Sequence, residues 1–303
     1  MDGSSRVAEG RFEVPPGFDV TIPNVARMYD YYLGGKDNFA ADRAAAEEVI
    51  SLMPGSRAGA QANRAFLMRA VRYLAAEAGI QQFLDIGTGL PTQNNVHEVA
   101  LSIDEGARVV YVDYDPVVCT HGRALVHGIG NVGVVQEDLR NPDAVLNHDV
   151  TRALLDFTEP IAVIMVSILH FIASEIDLDE AVARYRGAIA PGSYLVISHL
   201  TGDKLLRARP EETELAQQVY SRASAPVSLR GYDRILRLFD GLELVEPGLV
   251  WLSDWHRDRA PAVGASGLAR SSERRRHSAT LMEEALSYGG KIPAYAGVGG
   301  KPG

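Results

Sequence analysis

Two short stretches carry the residue types that can do chemistry. Phe83-Leu84-Asp85-Ile86-Gly87-Thr88-Gly89 reads as a buried strand entering a tight glycine turn. Arg108-Val109-Val110-Tyr111-Val112-Asp113 reads as a neighbouring strand that ends on a carboxylate. Together they suit a nucleotide-like ligand. Gly87 and Gly89 let backbone approach the ligand, with Thr88 between them, and Asp113 can accept hydrogen bonds from both ribose hydroxyls. Glycine turn, helix, strand and acid, in that order, form the first βαβ unit of a doubly wound sheet.

The turn discriminates between ligands. A nicotinamide-type G-x-G-x-x-G pattern needs glycine at position 92, where Thr92 stands. An acid-x-G-x-G pattern is met by Asp85, Gly87 and Gly89, and it resembles motif I of class I S-adenosylmethionine-dependent methyltransferases. The resemblance extends along Gln82 to His97 and Arg108 to Pro116. It continues in the amino-terminal run Ile22-Pro23-Asn24-Val25-Ala26-Arg27-Met28-Tyr29-Asp30-Tyr31-Tyr32-Leu33-Gly34-Gly35-Lys36-Asp37-Asn38-Phe39, and in Ala294-Tyr295-Ala296-Gly297-Val298-Gly299. These runs are similar to a bacterial S-adenosyl methyltransferase family, formerly a domain of unknown function, from about Ile22 to Lys301. Pro91 stands where many members carry a further glycine.

The resemblance implies an α/β fold: a Rossmann-like, seven-stranded, mostly parallel sheet with a helical amino-terminal cap. It implies S-adenosyl-L-methionine as cofactor, and it leaves the methyl acceptor open. Asp85 either holds the turn or meets the ammonium group of the cofactor. In the resembled fold the acid of Glu137-Asp138-Leu139 receives the adenine amino group, so Asp138 and Leu139 join the cofactor-binding candidates. Ser167 and His170 close the fourth strand, at the sheet edge where ligands sit. His170 is a candidate catalytic base, because imidazole titrates near neutrality, and His199 shares that ambiguity. Arg64 lies on the helix before the first strand and matches a carboxylate bidentately, with Asn63 beside it. Tyr29, Tyr32 and Asn38 are expected on a lid over the cofactor, where an aromatic face attracts a sulfonium and Tyr32 meets the reaction space. Asp115 before Pro116 reads as a helix N-cap.

The elements that must position these groups alternate. Strands are expected near Gln82–Ile86, Arg108–Val112, Gly133–Gln136, Ile161–Ser167, Tyr194–His199, Leu242–Val245 and Ala294–Val298. Helices are expected at Ala40–Leu52, Arg57–Ala78, Gln93–Ile103, Pro116–Val126, Asp177–Ala190 and Glu211–Ala223. Short apolar strands separated by helices favour a parallel sheet covered on both faces, the last strand being antiparallel in the class I pattern. The division reads as a flexible tail over 1–20, a helical cap over 21–78 and a cofactor-binding domain over 79–303. A charged stretch over 257–291 reads as a flexible insertion, with an exposed helix over Arg274–Tyr288 as the alternative.

With 46% hydrophobic residues, a chain of 303 residues can bury a large core. Its net charge of −9 argues against a grip on nucleic-acid backbones, and no Asn-Pro-Pro-Tyr signature for base methylation follows the fourth strand. The longest apolar run, Ile161 to Leu169, is too short to span a bilayer. One cysteine, Cys119, and a polar start at Met1 to Phe18 suit a cytoplasmic protein. The eight histidines are scattered without metal-ligand spacing. The expected function is methyl transfer to a small molecule. Another reaction of the same cofactor (aminocarboxypropyl transfer or cyclisation) and a non-catalytic cofactor-binding module are the rivals. The oligomeric state is not legible.

Overall fold

The computed structural model describes residues 19–91, 95–203, 208–256 and 292–303. The expected insertion over 257–291 and all but the last two residues of the expected tail lie outside them. The chain opens with helices α1 (Val25–Tyr32), α2 (Ala40–Leu52) and α3 (Ser56–Ala76). Strands and helices then alternate: β1 (Gln82–Ile86), α4 (Val96–Ile103), β2 (Arg108–Asp113), α5 (Pro116–Leu125) and β3 (Val132–Gln136). Two short helices, α6 (Pro142–Asn147) and α7 (Asp149–Leu154), lead to β4 (Ala162–Val166), followed by a 3₁₀ turn at Leu169–Phe171. The rest is α8 (Glu175–Ala188), β5 (Tyr194–Leu200), α9 (Pro210–Ser221), α10 (Tyr232–Leu236), β6 (Glu243–Leu244), β7 (Val250–Trp251) and β8 (Ala294–Gly300).

The strands form one sheet in the order β3-β2-β1-β4-β5-β8-β6, with β7 also paired to β8. The first five are parallel, and β8 runs antiparallel to β5, to β6 and to β7. The seventh position of the class I sheet is thus filled by two short segments, β6 and β7, laid end to end along β8. Sequence reasoning found the first of these and missed the second, which has two residues.

Every side chain of β1 is buried, and alternation sorts them between two cores. Phe83 joins Phe66, Val71 and Leu74 of α3 and Val99 of α4 on one face. Leu84 and Ile86 join Leu178, Val182 and Tyr185 of α8 on the other. A strand buried on both faces cannot slip by one residue without exchanging the two cores, so the parallel register also fixes where Asp85 and Asp113 end up.

A third, smaller core lies apart from the sheet. It joins Met28 and Tyr32 of α1, Ala45, Ala46 and Val49 of α2, and Ala216 and Val219 of α9. The cap is therefore built from segments far apart in the sequence, while α3 packs mainly on the sheet. Among the described residues, no helix is long and apolar enough to cross a membrane.

Candidate functional site

The carboxyl ends of β1, β2, β4 and β5 open into a cavity roofed by α1, α2 and α9. Its floor is the turn after β1. Gly87 and Gly89 both have left-handed backbones, with φ of 72° and 66°. The N–H groups of Gly87 and Thr88 donate to the carbonyl of Val112 at 2.8 and 3.2 Å, which pins the turn to β2. A Cβ on Gly87 would stand 2.3 Å from Cγ1 of Ile168, whereas a Cβ on Gly89 would meet nothing within 4 Å. The first glycine is needed for packing against the chain after β4. The second borders open space in the cavity.

Asp113 lies at the tip of β2 beside that turn. One carboxylate oxygen accepts the N–H of Gly89 at 2.9 Å and the other accepts the N–H of Asp115 at 3.0 Å. A carboxylate has about four lone-pair sites, so each oxygen retains capacity for a further donor. Burial pushes the Asp113 carboxyl up to about 6, against the pull of these hydrogen bonds. Tyr114, the next residue, presents a 41% exposed ring at the cavity.

Asp115 caps α5 as expected, accepting from the N–H of Val117 at 2.7 Å. Its second oxygen has a role that sequence reasoning did not assign. It accepts the side-chain amide of Asn24 at 2.5 Å and lies 3.5 Å from Nη1 of Arg27. Arg27 is paired at 2.7 Å with Asp42 of α2, whose other oxygen accepts the Asn24 N–H at 2.8 Å. These four side chains are buried. They bolt the start of the cap onto the β2–α5 corner.

Asp85 is buried at the end of β1 in the cavity wall. Burial lifts its carboxyl to about 7, opposed by the nearby Arg64 charge and by the Thr88 hydroxyl at 3.3 Å. Arg64 also lines the cavity and donates to Asn95 at 3.2 Å.

A chain of side-chain bonds crosses the cavity wall. Tyr29 donates its hydroxyl to the carbonyl of Ala60 at 3.0 Å and accepts from the Asn63 amide at 2.9 Å. The Asn63 carbonyl accepts the Ser198 hydroxyl at 2.6 Å, and that hydroxyl accepts the N–H of Ser167 at 2.9 Å. Ser167 has φ of 61°, a conformation that costs a non-glycine residue energy and is held by its surroundings.

The histidines after β4 and β5 differ from the expectation of a base. Nδ1 of His199 lies 2.6 Å from the Leu200 carbonyl, so it carries the proton, and Nε2 accepts from Arg230 at 3.0 Å. Burial then depresses His199 to about 3. His170 lines the cavity, and burial beside His199 and Arg230 holds it neutral, well below the ordinary imidazole range. Arg230, itself buried, also donates to the carbonyls of Leu169 and Ile172 and thereby fixes the 3₁₀ turn. On the cap side, the hydroxyls of Tyr32 and Tyr220 meet at 3.0 Å, both in the lining.

Of the residues expected at the site, Tyr29, Tyr32, Arg64, Asp85, Gly87, Thr88, Gly89, Asp113, Ser167 and His170 share this cavity. Three lie outside its lining. Asn38 turns its amide to Asp30 at 2.7 Å and to the Gly35 carbonyl at 3.1 Å, so it holds the loop between α1 and α2. Asp138 is engaged by the Arg140 guanidinium, with Nε 3.0 Å from both carboxylate oxygens. Leu139 packs into the core on the α8 face. Asn24, Ser198, Tyr114, Tyr220 and Arg230 were not foreseen. Only Tyr114 had a signal in the sequence, its place directly after Asp113.

The donor set fits S-adenosylmethionine: an acid with spare acceptor capacity, an open glycine turn, and a carboxylate near an arginine for an amino-acid end. Comparison with known proteins agrees. A family model described as S-adenosyl methyltransferase matches residues 13–301. A candidate methyltransferase from Thermobifida fusca YX is 41% identical, covers 95% of this chain and 98% of its own, and superposes with a TM-score of 0.80. A DUF574 family protein from Streptomyces avermitilis MA-4680 is 36% identical over 94% of this chain and 99% of its own, with a TM-score of 0.79. A search of curated proteins finds no match. The chain belongs to the S-adenosyl methyltransferase family, and it is an S-adenosylmethionine-dependent methyltransferase with the class I Rossmann-like fold.

Proposed function

We propose that this protein methylates a small molecule enclosed in the cavity between the sheet edge and the cap. The observation that carries this reading is that one cavity is lined both by the glycine turn with Asp113 and by the cap residues Tyr32, Val49, Ala216 and Tyr220. Donor and acceptor then meet in one water-poor chamber. When bound, S-adenosylmethionine supplies an already activated methyl carbon and a neutral thioether leaving group. The protein's share is alignment and exclusion of water.

The geometry supports the following residue roles. Asp113 accepts the ribose hydroxyls on its spare lone pairs, and the turn at Gly87, Thr88 and Gly89 gives close backbone approach. The Tyr114 ring offers a stacking face for adenine, a role that Asp138 is less suited to because Arg140 already occupies it. Asp85 meets the ammonium group and Arg64 the carboxylate of the amino-acid end. Tyr29 and Tyr32 form the aromatic side of the roof. His170 is a neutral hydrogen-bonding wall, since a strongly depressed imidazole is a weak proton acceptor.

The net charge of −9 supports a small acceptor over a nucleic acid. A single, buried, free cysteine supports a cytoplasmic setting. The test is to incubate the full chain with methyl-labelled S-adenosylmethionine and fractionated small-molecule extract. Label in a small product together with S-adenosylhomocysteine is expected. Methylthioadenosine as the nucleoside product would instead indicate aminocarboxypropyl transfer.

A further inference from the structure

Charge is distributed unevenly around the cavity. Among the described residues, the lining side chains that carry charge are Arg64, Asp85, Asp113 and Asp115, from α3, β1 and the β2–α5 corner. The cap contributes none. Its lining includes Val49, Met53, Ala216 and the two tyrosines Tyr32 and Tyr220, with Phe171 facing Tyr220 at a ring separation of 6.0 Å, while the polar side chains of Asn24, Tyr29, Thr213 and Gln217 each make a hydrogen bond within the protein. A carboxylate or ammonium group carried under this roof would lose its hydration and gain no counter-charge, which is costly. Flat aromatic groups lose little and gain ring contacts.

One polar feature of the roof is a pair of hydroxyls bonded to each other. The Tyr32 and Tyr220 hydroxyls, 3.0 Å apart, share a single hydrogen bond. Two hydroxyls bring two O–H donors, and a bond between them consumes one. The second donor and the remaining lone pairs suit a group that both donates and accepts, namely another hydroxyl.

We propose that the methyl acceptor is a neutral, planar phenol, bound under the cap with its hydroxyl on the Tyr32–Tyr220 pair. This rests on the methyl-transfer reading above. In the transfer, the acceptor oxygen forms a bond to the methyl carbon while the carbon–sulfur bonding pair stays on sulfur, and the hydroxyl proton leaves to water. The neutral state of His170 agrees with an acceptor that needs no strong base, as a phenol ionises far more readily than an aliphatic alcohol.

The experiment is calorimetry on the full chain, first with S-adenosylhomocysteine, then on the loaded protein with naphthol, naphthalene, naphthoate and naphthylmethylamine. Naphthol is expected to bind saturably and at least about tenfold more tightly than either charged analogue, the equivalent of one lost buried hydrogen bond or more. Tyr220→Phe should weaken naphthol by about tenfold and leave naphthalene unchanged. Ala216→Trp, which fills the chamber, should abolish naphthol binding while S-adenosylhomocysteine binds as before. Tighter binding of naphthoate or the amine, no binding of naphthol, or an unaltered naphthol-to-naphthalene ratio in Tyr220→Phe each overturn the proposal and leave the methyl-transfer reading standing. If S-adenosylhomocysteine itself fails to bind, that reading falls and this inference with it.

Discussion

The Ser198 hydroxyl donates to the side-chain carbonyl of Asn63 at 2.6 Å, joining β5 to α3 across 135 residues of sequence. Because the same hydroxyl accepts the Ser167 N–H, one atom links the cap-side tyrosine Tyr29 to the left-handed residue at the tip of β4. Ser198→Ala removes the only donor bonded to that Asn63 oxygen among the described residues. The expected cost is about 1–2 kcal/mol of stability in urea denaturation, with weaker S-adenosylhomocysteine binding. A denaturation midpoint equal to wild type would mean that the relay holds nothing in place.

Asp113→Asn tests the ribose acid. The variant keeps one acceptor oxygen but turns an NH₂ toward a backbone N–H, of Gly89 or of Asp115, which the native carboxylate satisfies. S-adenosylhomocysteine affinity should fall by about 10–100-fold while far-ultraviolet circular dichroism stays native. Wild-type affinity in a folded variant would falsify the assignment.

Gly87→Ala combines two penalties, a left-handed backbone and a Cβ placed 2.3 Å from Ile168. Thermal unfolding should show a loss of about 2–4 kcal/mol. Pairing it with Ile168→Ala should relieve the clash relative to Ile168→Ala alone and leave the backbone penalty. Equal losses from Gly87→Ala in both backgrounds would show that the contact is relieved at no cost.

The two buried carboxyls predict opposite pH trends for stability and for binding. Asp85 at about 7 and Asp113 at about 6 both lie above their ordinary value of 3.8. A raised carboxyl favours the folded state while protonated. Its stabilising effect is complete below about pH 4 and is lost as pH rises through about 6 to 7. The cofactor-free protein should therefore unfold at lower temperature near about pH 8 than near about pH 5, with a smaller difference in Asp85→Asn. Cofactor binding needs the ionised carboxylates, so S-adenosylhomocysteine affinity should rise over the same interval. Calorimetry at the two pH values reads both signs, and equal affinities would exclude titration of these groups from binding.

Much of this was legible before the structure. The parallel strands announced themselves because strands buried on both faces must be short and continuously apolar. The glycine turn and Asp113 were legible as neighbours because a strand–glycine turn and a strand ending on an acid carry few residue types, and the fold brings the two together. What stayed hidden depends on which distant parts of the chain meet. Asn24 looks like an ordinary helix cap, and its bond to Asp115 exists only once the cap lies on the β2–α5 corner. Asn38 looked available for a ligand because sequence cannot show that Asp30 and Gly35 already claim its amide. Nor can sequence show that the Asp138 carboxylate is held by Arg140 two residues on. What sequence could not show at His170 is its burial beside His199 and Arg230, which holds the imidazole below its ordinary range. Tyr220 could not be paired with Tyr32 from spacing, since 188 residues separate them.

The Asn24–Asp115 bond has a consequence for biosynthesis. The two residues are 91 positions apart, so the first helix leaves the ribosome well before the corner that receives it. Until β2 and α5 have been translated and folded, the buried Arg27–Asp42 pair and Asn24 lack the Asp115 carboxylate that completes their network. A helix made before the sheet thus completes its contacts only after β2 and α5, and the chamber stays unroofed until α9 has also emerged.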